Sequence, residues 1–420
     1  MSRNLTLLFD SNPPEDPEAR RKLFYNREAE LKWALTELRS NPAVTKVLAI
    51  HGDTRTGKSH FAQHMLAQAT EQLGGLGVII NANQRETAQN LLEDLFGELA
   101  IQLDEVEWDR DNPVLAQIHA DFKEFTELLK PLVFGEVEQT ELTQGRKLLG
   151  RASAHITLKP RYAESGFLVE ASEEHQTGEK QVLRAPKGPQ LAEMVRWIAE
   201  AIAELQRGPV LILVDDQDLL TTGDDVEETA ELLMALKILA ASDRTVVITT
   251  VRTAYWNGRE KDLKDFVEIR ALGDKELKAI YEGRLDAYND GEEVFASTAL
   301  RWLLDGADGR VGMFLQRCHQ LHRAFFGSGK RIGKREIRKF IDGELDALWQ
   351  HPAEQQVLAT VFEHVRRGEG ELKLENGELT LARRSKLWLR VLKPLQSRPG
   401  WCSIDPLYLK AIRERIEDGA

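Results

Sequence analysis

The chain has 420 residues, enough for roughly two to four domains with cores of their own, and its 42% hydrophobic and 30% charged content is that of an ordinary globular protein. A net charge of -12 excludes a wholly basic nucleic-acid coat protein and confines any basic role to local faces. Cys318 and Cys402 are too far apart in sequence to read as a metal-ligand pair, no apolar stretch approaches a membrane span, and the N-terminus lacks a signal-peptide core; the expectation is a cytoplasmic protein with reduced cysteines and no membrane partner.

Residues 1–24 read as a turn-rich arm around Asn12-Pro13-Pro14. Asn26 can cap a helix whose apolar positions Leu31, Ala34, Leu35 and Leu38 recur at helical spacing until Asn41-Pro42 ends it. Val47 to Ile50 is an apolar strand leading into Gly52-Asp53-Thr54-Arg55-Thr56-Gly57-Lys58-Ser59, and the residues from His60 to Leu73 carry a helical apolar pattern. Strand, Gly-x4-Gly-Lys-Ser and helix in that order form a P-loop in its required context. The binding residues are Gly52, Asp53, Thr54, Arg55, Thr56, Gly57, Lys58, Ser59 and His60. Their backbone N–H groups and the helix N-terminus suit a nucleotide's phosphates, Lys58 reaches the β- and γ-phosphates, and Ser59 joins a Mg²⁺ shell completed by water and phosphate oxygens.

Gly77 to Asn81 reads as a second buried strand, followed by helices over about 86–102 and 114–129. Residues 135–187 change character: short strand-like runs at 154–158, 167–170 and 181–184 suggest a β-rich insertion. A helix over 191–205 then feeds Val210-Leu211-Ile212-Leu213-Val214-Asp215-Asp216, an unbroken apolar strand ending in paired carboxylates. That strand delivers Asp215 beside the Mg²⁺ and Asp216 to where it can orient an attacking water. After a helix over 226–241, strand 245–250 ends in Thr249 and Thr250, hydroxyls at the ligand end of a doubly wound sheet, one of them suited to sensing the γ-phosphate. Arg252 and Arg259 follow before strand 266–269, and either can neutralise transition-state charge.

From Gly273 the pattern is helical: a helix opening at Asp274, then helices over about 294–304, 311–326 and 334–349, with Gly306 to Gly309 leading into Arg310 at a helix start. The segment from 351 has helix 353–365, strand-like 371–374 and 379–381, helix 384–392 and helix 406–416, compatible with a winged-helix domain. Two basic clusters, at 330–339 and 383–398, are the places where DNA could be held.

The order of P-loop, acidic strand, Thr249-Thr250 strand, helical segment with Gly309-Arg310 and possible C-terminal winged helix resembles the AAA+ and STAND ATPases, particularly the initiator and origin-recognition branch and bacterial regulatory or defence ATPases. The resemblance covers most of residues 24–349. It implies an α/β fold, a P-loop parallel sheet flanked by helices, with a core over 1–272, a helical lid over 273–349 and the winged-helix segment over 350–420. It also implies bound ATP and Mg²⁺ and a homo-oligomer or protein partner governed by the ATP/ADP state. By position, Lys58 and Ser59 match Walker A, Asp215 and Asp216 match Walker B with Ser59 and Asp215 as the metal pair, Thr250 or Arg252 matches sensor 1, and Arg310 matches sensor 2. Asp216 departs from the Glu of motor-type members; the shorter side chain predicts slow hydrolysis and looks like that of switch-type members. The expected activity is therefore a slow ATPase acting as a molecular switch, with a DNA-associated loader or an ATP-holding scaffold as the alternatives.

Overall fold

The computed structural model describes residues 8–10, 20–21, 23–24, 27–40, 47–82, 87–135, 139–141, 182–184, 186–217, 226–253, 265–289, 291–325, 330–369, 371–374, 391–394 and 401–418. The chain divides into two compact units: a sheet unit of residues 27–52 and 58–269, and a helical unit of residues 1–26, 53–57 and 270–420.

In the sheet unit, helix α1 (Glu28–Ser40) precedes β1 (Val47–Gly52), and α2 (Lys58–Leu73) leads to β2 (Leu76–Asn81). Helices α3 (Ala88–Glu105) and α4 (Pro113–Val133) follow, then β3 (Gln139–Glu141), β4 (Val182–Arg184), α5 (Pro189–Gln206), β5 (Val210–Asp215), α6 (Val226–Leu239), β6 (Thr245–Arg252) and β7 (Asp265–Glu268). The main sheet has the order β2-β5-β6-β1-β7, and every neighbouring pair is parallel. Strands β1 and β5 are buried along their whole length, which is what their continuous apolar runs require of a parallel sheet covered on both faces. One face is sealed by α3, α4, α5 and α6, whose residues Leu95, Phe122, Ile198 and Leu236 share a core with Val47, Ile212 and Val247. Helix α2 packs across β1, β2, β5 and β6. It comes close to β2 because position 77 is glycine: a Cβ there would stand 2.8 Å from Thr70 Oγ1 and 3.2 Å from Leu66 Cγ.

Of the expected insertion, β3 and β4 form a two-stranded antiparallel pair with Gln139 opposite Arg184. The expected strands at 154–158 and 167–170 lie outside the described residues.

The helical unit contains α7 (Asp274–Tyr288), α8 (Ser297–Ala307), α9 (Val311–Phe325), α10 (Lys334–Trp349), α11 (Pro352–Arg366), strands β8 (Glu371–Lys373), β9 (Leu392–Pro394) and β10 (Trp401–Ile404), and α12 (Pro406–Asp418). Helix α8 starts three residues later than the periodicity predicts. The cause is a bridge between Phe295 and Ile332, in which Ile332 N–H donates to Val294 O and Ala296 N–H to Ile332 O, so the backbone before Ser297 is committed elsewhere. The C-terminal sheet runs β8-β10-β9, all antiparallel. Leu392, expected to close a helix, opens β9 opposite Ile404, and Trp401–Ile404 is a strand that the pattern does not announce. The 379–381 run lies outside the described residues.

The N-terminal arm supplies part of this unit's core. Leu8 and Phe9 are buried, the Phe9 ring stacks on Tyr281 at 6.1 Å and lies 5.7 Å from Phe295, and Arg284 Nη1 donates to Leu8 O at 3.2 Å. Arg317 and Asp405 form a buried ion pair, and Arg317 Nη1 also donates to Gly306 O at 2.6 Å, tying α9 to the end of α8 and the start of α12.

Candidate functional site

Parallel strands deliver their C-terminal ends to one edge of the sheet, and the sheet order sets which ends are neighbours there. Strand β6 lies between β1 and β5, so Thr249 stands opposite Ala49 on one side and Val214 on the other, and Arg252 is in register with Gly52. At this edge three sequence-distant residues converge. Ser59 Oγ, in the first turn of α2, donates to Asp215 Oδ1 at 3.0 Å. Thr250 Oγ1 donates to the same oxygen at 2.5 Å and accepts the Asp216 N–H at 2.7 Å. Thr250 thus fixes the Asp215 carboxylate and the backbone that follows it.

Asp216 has φ 56°, in the left-handed region that disfavours any residue with a Cβ. The β5 chain turns sharply there, and the Thr250 hydroxyl holds the turn. Gln217 is fully buried and its Oε1 accepts from Thr249 Oγ1 at 2.5 Å. Thr249 is therefore occupied in fixing Gln217, while Thr250 faces the acidic pair. No pattern in the sequence singles out Gln217.

Lys58 is the first residue of α2; its buried Nζ donates to Gly52 O at 3.1 Å. Ser59 and Asp215 supply two oxygen donors 3.0 Å apart. That hard-donor pair, with the rest of the shell left to water and phosphate, fits Mg²⁺. Among the described residues no group of three His, Cys, Asp or Glu side chains could hold a metal alone. His60 follows in the same turn of α2, half-buried.

In the helical unit, residues 53–57 form the turn of the P-loop. Asp53 O accepts from Thr56 Oγ1 at 2.9 Å and, at a long 3.4 Å, from Thr56 N–H. Arg55 and Gly57 both have positive φ, 67° and 96°; Thr54 is exposed. The Arg55 side chain lies along α9: Nη1 donates to Gln316 Oε1 and approaches Met313 Sδ at 3.6 Å. Burial, followed by repulsion from Arg317 and Arg310, pulls the Arg55 pKa below the usual arginine value.

Arg310 sits one residue before α9, after a turn through Asp308 (φ 51°) and Gly309 (φ 71°), with Asp308 Oδ2 4.0 Å from its guanidinium. Gly309 is required: a Cβ there would lie 2.5 Å from Leu272 O. Arg259 lies outside the described residues.

In the basic cluster at 330–339, Arg331 pairs with Glu293 at 2.7 Å, Lys334 with Glu414 at 3.0 Å, and Arg338 lies 3.6 Å from Glu414 and 3.8 Å from Asp342. In the second cluster, Arg383, Arg384, Lys386, Arg390 and Arg398 lie outside the described residues. Among the described residues no helix is long and apolar enough to cross a membrane.

A five-stranded parallel sheet in which one strand separates the P-loop strand from the acidic strand, followed by a helical region with a small antiparallel sheet, is an AAA+-like fold. No protein-family model and no curated protein matches the chain. Solved structures are similar over nearly its full length. The Orc1 protein of Aeropyrum pernix in complex with DNA is 12% identical with a TM-score of 0.48, covering 99% of this chain and 98% of that one. A Walker-type ATPase of Pyrococcus abyssi is 13% identical with a TM-score of 0.44, covering 97% and 100%. Cdc6p from Pyrobaculum aerophilum is 12% identical with a TM-score of 0.43, covering 98% of each chain.

Proposed function

We propose that the chain is a molecular switch that binds and slowly hydrolyses ATP and uses the ATP state to control its oligomerisation and partner binding. The observation that carries this reading is the convergence of the Ser59 and Thr250 hydroxyls on one Asp215 carboxylate oxygen, in the unit where Lys58 opens the helix after the P-loop strand.

Each residue then has a role. The N–H groups of residues 53–59 and the N-terminus of α2 take the phosphates. The Lys58 ammonium exchanges the Gly52 carbonyl for phosphate oxygens, and Ser59 with Asp215 holds Mg²⁺, which neutralises phosphate charge when bound. Asp216 accepts a proton from the attacking water, Thr250 keeps the carboxylates in place, and Arg252 and Arg310 answer charge on the transferred phosphoryl group. Aspartate at position 216 is one methylene shorter than glutamate, which favours a long-lived ATP state over rapid turnover.

Titration with a fluorescent ATP analogue, turnover assays and light scattering test the reading together. Lys58→Ala abolishes binding, whereas Asp216→Asn keeps binding and stops turnover; equal loss of binding in both variants would falsify the assigned roles. Growth in particle size with a non-hydrolysable ATP analogue, and not with ADP, is the switch behaviour expected. Turnover stimulated by DNA would favour the DNA-associated alternative, for which the ion pairs at 293, 342 and 414 leave the 330–339 cluster less free charge.

A further inference from the structure

Position 55 lies inside the phosphate-binding turn, in a left-handed conformation that glycine adopts freely and arginine does not. An arginine is held there by three contacts, all to one stripe of α9. Its carbonyl accepts the Gly312 N–H at 2.9 Å, and its guanidinium reaches Gln316 Oε1 and Met313 Sδ. Gly312 and Gln316 are four residues apart, one above the other on the helix surface. The approach is close: a Cβ at Gly312 would lie 3.1 Å from Arg55 Cβ and 3.3 Å from Arg55 O, and a Cβ at Gly57 would lie 3.1 Å from Val311 Cγ1.

The first N–H groups of a helix have no partner within it. For α9 one of these donors is satisfied by the P-loop itself, through Arg55 O. That carbonyl belongs to the same planar peptide unit as the Thr56 N–H, so the two turn together. The Thr56 N–H makes a long 3.4 Å bond to Asp53 O, beyond the usual range for such bonds, and so exchanges at little cost for a phosphate oxygen. Phosphate recognition and the capping of α9 are thus two ends of one peptide plane.

We propose that Arg55 is a positioning residue that latches α9 to the phosphate-binding turn, so that occupation of the turn by a nucleoside polyphosphate is read out in the first two turns of α9. This rests on the nucleotide-binding reading above. The side-chain bond to Gln316 clamps the helix while the peptide plane responds, and without it the carbonyl contact alone holds the helix start.

Peptide-level hydrogen exchange over residues 311–318 tests the latch in the full chain, with no nucleotide, with ADP and with a non-hydrolysable ATP analogue. Without nucleotide, Gln316→Ala and Arg55→Gly exchange about two- to ten-fold faster than wild type there, the range that loss of one hydrogen bond supports. Gln316→Glu, which keeps the acceptor and adds charge, exchanges no faster than wild type. With the ATP analogue, protection of 311–318 changes in wild type and in Gln316→Glu, and changes less in Gln316→Ala, where the carbonyl contact alone remains, although that variant binds the analogue; unchanged protection in a wild-type chain that binds the analogue overturns the readout. Wild-type exchange in both Gln316→Ala and Arg55→Gly without nucleotide overturns the latch. A wild-type chain that binds no nucleotide overturns the nucleotide-binding reading instead, and the nucleotide-free comparison still decides whether the latch exists.

Discussion

Thr250→Val is the sharpest single test of the acidic edge of the sheet. Thr250 is fully buried and its hydroxyl is committed twice, donating to Asp215 Oδ1 and accepting the Asp216 N–H. Valine keeps the shape and removes both bonds. Stripping a buried N–H of its acceptor costs about 1–3 kcal/mol, and losing a bond to a carboxylate about 1.5–3 kcal/mol. The added methyl returns about 0.8 kcal/mol, which leaves a net loss of roughly 2–5 kcal/mol. Thr250→Ser keeps the hydroxyl, gives up one methyl and loses about 1 kcal/mol. Native-state hydrogen exchange of the β5 and β6 amides reads the opening free energy of this sheet directly, without assuming that both units unfold together. Fast exchange at Asp216 is expected to accompany the loss. If valine and serine variants agree within about 0.5 kcal/mol, the hydroxyl is not the clamp described here.

Three further outcomes follow from the packing. Arg317→Leu removes the guanidinium facing the fully buried Asp405 carboxylate and lowers the stability of the helical unit by about 3–5 kcal/mol in thermal or urea unfolding, with much of the loss recovered by Asp405→Leu in the same chain. Gly309→Ala forces a Cβ to 2.5 Å from Leu272 O at φ 71° and costs about 1–3 kcal/mol by the same assay; a neutral result would mean the turn before Arg310 is not constrained. Glu200 is buried on α5, and that burial raises its pKa in spite of Arg196, so the folded chain holds the proton longer than the unfolded one. Its contribution is fully present below the ordinary glutamate value of about 4.3 and is lost as pH rises through the higher folded value. Glu200→Gln therefore matches wild type at pH 4 and is the more stable protein at pH 8, as melting curves at the two pH values will show.

The parts of the site that a local pattern can encode were legible. Gly-x4-Gly-Lys-Ser between an apolar run and a helical period marks β1, the turn and α2, and an unbroken apolar run ending in Asp215-Asp216 marks β5. What joins them was not, because the adjacency of parallel strands is decided by crossovers and leaves no periodic trace. The position of β6 between β1 and β5 turns Thr250 from a β-branched strand residue into the hinge of the acidic pair, and nothing around Thr249-Thr250 distinguishes the two hydroxyls. The C-terminal sheet was obscured differently. Strand β9 contains Pro394 and β10 is four residues long between turn residues, so both fall below the length at which alternation can be recognised. The N-terminal arm reads as turns because Leu8 and Phe9, which join the core of the helical unit, have no repeat around them.

Backbone conformation shows where local preference was overruled. Among the described residues four without a glycine's freedom have positive φ: Arg55, Arg207, Asp216 and Asp308. Arg207 is an ordinary helix C-cap, its N–H donating to Ala203 O and Glu204 O, and needs no further cause. The other three stand in the turn of the P-loop, at the end of the acidic strand and in the turn before Arg310. Each costs about 1–3 kcal/mol and persists only where surrounding contacts impose it. At Asp216 the contact is the Thr250 hydroxyl; at Arg55 it is the α9 stripe; beside Asp308 it is the close approach of Gly309 to Leu272 O. A chain selected for stability alone would place glycine or asparagine at such positions. Arginine and aspartate stand there instead because these contacts, and not local preference, set the three turns.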